Sequence, residues 1–130
     1  MTTTEPTTTP RAEEAKETVR RFFAAFEAGD GAAMASLAAP GFVAHALPPD
    51  LAPDIDGLAQ HAAATHAALL DCRVEIHDLV AEGDHVAARF TVRALRGGEP
   101  VTVTGMELYR LADGLVAELW GEYDTSVGAS

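Results

Sequence analysis

Apolar positions recur along the chain in two periods, and the change from one to the other divides it. From Arg11 the apolar residues Ala15, Val19, Phe22, Phe23 and Phe26 fall at i, i+4, i+7, i+8 and i+11, one stripe of an amphipathic helix that Gly29 ends. Asp30 is placed to cap a short second helix from Gly31 to Ala38, with Met34 and Leu37 inward and Pro40 as the stop. Phe42 to Ala46 reads as a brief strand, and Leu47 to Asp56, with three prolines, as a loop. Asp56 opens a third helix to about Leu70, carrying Leu58, Ala62, Thr65 and Leu69 on one side. After Cys72 the period becomes two. Strands are expected over Arg73–Ala81 and His85–Arg96, followed by a Gly97-Gly98-Glu99-Pro100 loop and a final hairpin about Asp113-Gly114.

Three helices with one early strand, then four consecutive antiparallel strands, make an α+β domain with the helices on one face of a curved sheet. Residues 1–10 are rich in Thr and Pro and are expected to form a disordered tail; residues 11–130 form the domain.

The last hairpin carries the most chemistry. Asp113-Gly114 suits a type I′ turn, which needs positive φ at both central residues. A regular two-residue turn sets Leu111 opposite Val116, Tyr109 opposite Glu118, Glu107 opposite Trp120, Gly105 opposite Glu122 and Val103 opposite Asp124. That register gathers Glu107, Glu122 and Asp124 on one face around the single tryptophan, with Tyr109 beside them. Phe90 and Val92 share the face if the Gly-Gly-Glu-Pro loop is a four-residue turn. Arg89, Arg93 and Arg110 then fall on the opposite face with Thr91, Thr104, Leu108 and Leu119, a mixture that suits a subunit interface.

Composition narrows the function classes. With 130 residues there is room for one domain, and a net charge of −11 disfavours binding to phosphate backbones and anionic membranes. No apolar run reaches the length of a membrane span, the N-terminus has no secretory pattern, and the single cysteine fits a cytoplasmic protein. His61 and His66 stand five apart on the third helix, a poor spacing for a metal, and no metal or cofactor is expected.

The stretches VRRFFAAFEAGD (19–30), LAAPGFVAHA (37–46), VEIHDLVAEGDHVAARFTV (74–92) and GMELYRLADGLVAELW (105–120), in this order and spacing, resemble the SnoaL-like polyketide cyclase group of the nuclear transport factor 2-like superfamily. The resemblance implies a cone-shaped barrel with an internal hydrophobic cavity, and a homodimer through the outer sheet face. It also implies acid/base aldol ring closure without a cofactor, by an acidic residue on the last strand. By position that residue is Asp124, with Glu122 as its neighbour; His45, at the end of the early strand, matches a histidine frequent in the group. The Thr-His pair of the cyclases has no counterpart in ALRGGEPV (94–101). A second resemblance, to limonene epoxide hydrolase, matches Glu107 and Glu122 to its two carboxylates but finds Gly105 at the arginine position.

The candidate acid/base residues are thus Asp124, Glu122, Glu107 and His45, and the candidate substrate contacts are Trp120, Tyr109, Phe26, Phe90 and His66. Apolar burial would raise the pKa of such a carboxylate into a range useful for proton abstraction. The expected activity is cyclisation or isomerisation of a hydrophobic, polyketide-like small molecule. The competing class is a non-catalytic binding module that needs only apolar walls, or an epoxide hydrolase using Glu107 and Glu122.

Overall fold

The computed structural model describes residues 10–127. The tail expected over 1–10 lies, apart from Pro10, outside the described residues. Pro10 opens the first helix, α1 (Pro10–Ala28), a position where its missing N–H costs nothing. Asp30 caps α2 (Gly31–Ser36) by accepting from the Ala33 N–H at 3.0 Å. The strand β1 (Ala38–Ala44) begins earlier than its apolar run, because Ala38 already pairs with the last strand. Asp54, not Asp56, caps α3 (Ile55–Ala68), accepting from the Gly57 N–H at 2.9 Å.

Four long strands follow: β2 (Leu70–Glu82), β3 (His85–Arg96), β4 (Glu99–Ala112) and β5 (Leu115–Val127). They form an antiparallel meander, and β1 adds to β5 in parallel, so the five-stranded sheet is mixed and runs β1-β5-β4-β3-β2. The expected α+β architecture is present, with a parallel edge strand added to the antiparallel sheet and the cone left open.

The helices fill the concave side. Val19, Phe22 and Phe23 of α1 are buried against Met34, Phe42, Leu58, Ala62, Phe90 and Tyr109. The rings interlock: Phe23 sits 4.9 Å from Phe90 and 5.9 Å from Tyr109, and Phe22 6.0 Å edge-on to Tyr109. A polar tie fixes α1 to the sheet, where the Glu27 carboxylate accepts the Val74 N–H at 2.7 Å.

Two hairpins depart from the expected register with opposite consequences. The Gly-Gly-Glu-Pro segment is a two-residue turn, with Arg96 paired to Glu99. That moves β3 by two residues against β4, which leaves every face unchanged, so Phe90 and Val92 stay on the side of Glu107. The Asp113-Gly114 turn forms as expected, with φ of 52° and 78° and Leu111 opposite Val116. Beyond it, however, Arg110 pairs with Glu118, so Ala117 is an extra residue, a β-bulge. This one-residue shift turns the rest of β5 over. Glu107 now faces Gly121, Leu108 faces Trp120, Met106 faces Glu122 and Thr104 faces Asp124.

The physical reason lies in what each register would bury. Without the bulge, Glu118, Trp120, Glu122 and Asp124 would point inward, and three more carboxylates would be desolvated beside Glu107. With it, Leu119 enters the core at 5% exposure and the acids stay on the outer face.

This register gives a direct test. Leu119→Ala should cost about 2–5 kcal/mol in urea unfolding, whereas Glu122→Ala should stay within about 0.5 kcal/mol. The reverse order would indicate the unbulged pairing.

Candidate functional site

The inner face of the sheet and the helices enclose a cavity of about 500 Å³. Its walls are largely apolar: Phe22, Phe23 and Phe26 of α1, Leu58 of α3, Phe90 and Val92 of β3, and Leu119 of β5 contribute. Into this lining project Glu107, Tyr109, Tyr123, His61, Thr65, Thr125 and Arg96. Glu107 is the one carboxylate among the described lining residues.

Glu107 is gripped on both oxygens. The Tyr109 hydroxyl donates to Oε1, and the Tyr123 hydroxyl donates to Oε2 at 2.6 Å. Tyr109 is 1% exposed and reaches the acid from two residues along the same strand face. Tyr123 comes from β5 and lies across two glycines. A methyl group on Gly121 would sit 2.2 Å from the Tyr123 hydroxyl oxygen, and one on Gly105 would sit 2.6 Å from Phe90 and 2.9 Å from Tyr123. Gly105, set opposite Glu122 by the expected register, instead makes room for Phe90 and Tyr123.

The electrostatics follow from the enclosure. Removal from bulk water pushes the Glu107 carboxyl above its ordinary range, and the two phenol hydrogen bonds oppose that rise without cancelling it. Burial of Tyr109, partial desolvation of the half-exposed Tyr123, and the neighbouring carboxylate push both phenols upward, so both remain protonated donors. His61 lines the cavity near Phe26, with ring centroids 6.1 Å apart. Burial lowers its pKa and favours the neutral imidazole.

Four expected site residues meet here: Glu107, Tyr109, Phe26 and Phe90. The others do not. Asp124, Glu122 and Trp120 lie on the outer face because of the bulge at Ala117; Glu122 and Asp124 are exposed. The Glu107–Glu122 pair of an epoxide hydrolase is therefore not formed. His45 also points outward, since the alternation of the chain sends Ala44 and Ala46 to the cavity. Its ring stacks on Trp120 at 5.1 Å and its Nε2 lies 2.7 Å from Glu118 Oε2. The hydrogen bonds to His45 and Arg110 hold the Glu118 carboxyl below its usual range. His66 is exposed and packs against the end of α1, its Nδ1 3.4 Å from the Glu27 carbonyl oxygen.

Sequence reasoning missed Tyr123 and His61. His61 lies three residues after Leu58, on the stripe that Ala62, Thr65 and Leu69 continue, and that spacing was the available signal. Tyr123 could be found only by placing the bulge. Among the described residues, no group of three His, Cys, Asp or Glu side chains is arranged to hold a metal ion, and no helix is long and apolar enough to cross a membrane.

Solved structures share this architecture. A candidate polyketide cyclase from Bacillus cereus superposes with a TM-score of 0.84 at 24% identity, over 94% of this chain and 83% of that one. IdmH, a candidate polyketide cyclase from Streptomyces antibioticus, matches at 27% identity with a TM-score of 0.74, over 85% and 91% of the two chains. An epoxide hydrolase of the LEH-like type from Mycobacterium tuberculosis matches at 18% identity and a TM-score of 0.74, over 88% and 86%, a likeness of fold alone. No curated protein sequence matches the chain. The family model described as a SnoaL-like domain matches residues 19–119. With a domain match across most of its length and the cone fold of the nuclear transport factor 2-like superfamily, the chain belongs to the SnoaL-like domain family.

Proposed function

We propose that this protein is a cofactor-independent cyclase or isomerase that performs acid/base chemistry on a hydrophobic, polyketide-like substrate, with Glu107 as the base. One observation carries the reading: a single carboxylate of raised pKa, held by two phenols, in a largely apolar cavity. The family match and the likeness to IdmH support the same class.

Ring closure of the aldol type begins with removal of a proton from a carbon flanked by carbonyl groups. A carboxylate of ordinary pKa is a weak base for that proton, and raising its pKa narrows the gap. The phenol hydrogen bonds oppose that rise by favouring the ionised carboxylate, the form that accepts a proton. As the proton arrives on Glu107, its demand for two donors falls. A tyrosine hydroxyl is then free to donate to the oxygen where enolate charge develops, in surroundings where such a bond is worth more than in water. The apolar walls hold the chain folded so that its reacting carbons meet.

Glu107→Gln keeps the shape of the side chain and a contact to each tyrosine but cannot take up the proton. It should lower kcat about 10²- to 10⁴-fold, while Asp124→Asn, on the outer face, should leave turnover near that of the unmodified protein. Equal turnover in Glu107→Gln, measured with a cyclisable poly-β-ketone, would return the cavity to a binding role.

The Tyr123 bond lowers the Glu107 pKa, so its loss raises it. The ionised base is the active form, and activity therefore grows as pH rises through that pKa. Tyr123→Phe should move the acidic limb of the pH–kcat profile to higher pH, and a limb that stays in place would remove Glu107 from the role.

We also propose that two copies associate through the outer sheet face. Met106 and Leu108 are exposed there at 60% and 38%, amid Arg89–Asp78 and Arg93–Glu75 ion pairs of 2.7 and 3.0 Å. Mixed charge with exposed apolar side chains suits a self-complementary two-fold contact. Light scattering should give twice the chain mass, and Leu108→Glu should give a monomer.

A further inference from the structure

The cationic side chains of this acidic protein are almost all spoken for. Arg11, Lys16, Arg20, Arg21, Arg89, Arg93 and Arg110 each form an ion pair with a carboxylate. Among the described residues Arg73 and Arg96 form none, and of these only Arg96 lines the cavity. It ends the run Phe90, Val92, Ala94, Arg96, the residues of β3 that alternate onto the inner face. Its partner across the Gly97-Gly98 turn, Glu99, is directly opposite in the ladder yet makes no ion pair with it. A guanidinium thus stands exposed at the rim of an apolar cavity, with no carboxylate engaged.

We infer that Arg96 is a specificity-determining residue that binds an anionic end group, a carboxylate, of an otherwise hydrophobic ligand. The inference rests on the ligand-binding cavity of the proposed function and names the class of molecule it takes. Three physical points support it. A guanidinium presents a planar fork of donors that matches a carboxylate with two parallel hydrogen bonds. The protein's net charge of −11 repels anions in general, so a cation beside the apolar walls is the feature that could hold one there. The separation is also suitable. Glu99, level with Arg96, is eight residues from Glu107 on β4, about 27 Å of strand at about 3.4 Å per residue. The anionic end therefore docks at the rim, far from the Glu107 carboxylate that would repel it, while the apolar body extends inward toward the base.

Matched neutral and charged ligands test this without any turnover. 2-Anthroate and its methyl ester share a fluorescent apolar body and differ in the charge at one end. Wild-type protein should bind the carboxylate about tenfold more tightly than the ester at low ionic strength, and the preference should shrink at high salt. Arg96→Gln should erase the preference and leave ester affinity unchanged; Arg96→Lys should retain part of it. Glu107→Gln should keep the preference, which separates this result from the fate of the catalytic reading. Thermal melts of the variants serve to check that each is folded. Equal binding of acid and ester by the wild type, absence of carboxylate binding, or a preference that survives Arg96→Gln would each overturn the proposal.

Discussion

One backbone residue decides which side of the sheet faces the helices at the end of the chain. Ala117 has no partner on β4, and every later residue of β5 is turned over as a result. Leu119 closes the core, Gly121 passes beneath the Tyr123 ring, and Tyr123 reaches Glu107. The same turn carries Glu118 outward to His45 and Arg110, and Glu122 and Asp124 to solvent. The cavity owes its single carboxylate to this bulge as much as to the glutamate itself. A sheet that buried four carboxylates together would have to protonate most of them or open to water.

The functional arrangement combines two demands that ordinarily conflict. The apolar walls favour a hydrophobic ligand and raise the Glu107 pKa; the phenols keep the carboxylate from being left without partners. No buried side-chain nitrogen or oxygen among the described residues lacks a hydrogen bond. The acid is therefore stable enough to be kept and perturbed enough to be useful. Family membership fixes the cone, and the residues around Glu107 argue for proton chemistry within it.

The helices were readable because their apolar stripes and caps are local. The α1 stripe and the Asp30 cap need only their own neighbours, and the Asp113-Gly114 turn likewise announces itself. The inward side of β4 was also legible, since Glu107 and Tyr109 share a face in any pairing. The face of β5 was not, because a bulge is set by the pairing of β5 with both β4 and β1 and leaves no local mark. A physical clue did exist: the regular register buries Glu118, Glu122 and Asp124 beside Glu107, and the one cation lining the cavity among the described residues, Arg96 at its rim, could not match them. The choice between His61 and His66 failed for a smaller reason. Both border the α3 stripe, and only the packing of the helix over the cavity separates them.

The partial contact of Glu107 with the cavity space ties ligand occupancy to proton occupancy. An apolar ligand that enters excludes solvent further from the carboxylate and raises its pKa again. The complex then holds more protons than the empty protein across the pH range between the two values. By linkage, affinity for such a ligand falls as pH rises through that range. The heat of binding would carry the ionisation enthalpy of whatever buffer supplied the proton. Calorimetry in two buffers would thus count protons at Glu107 before any substrate is known, making the protein's own titration a reporter of what its cavity accepts.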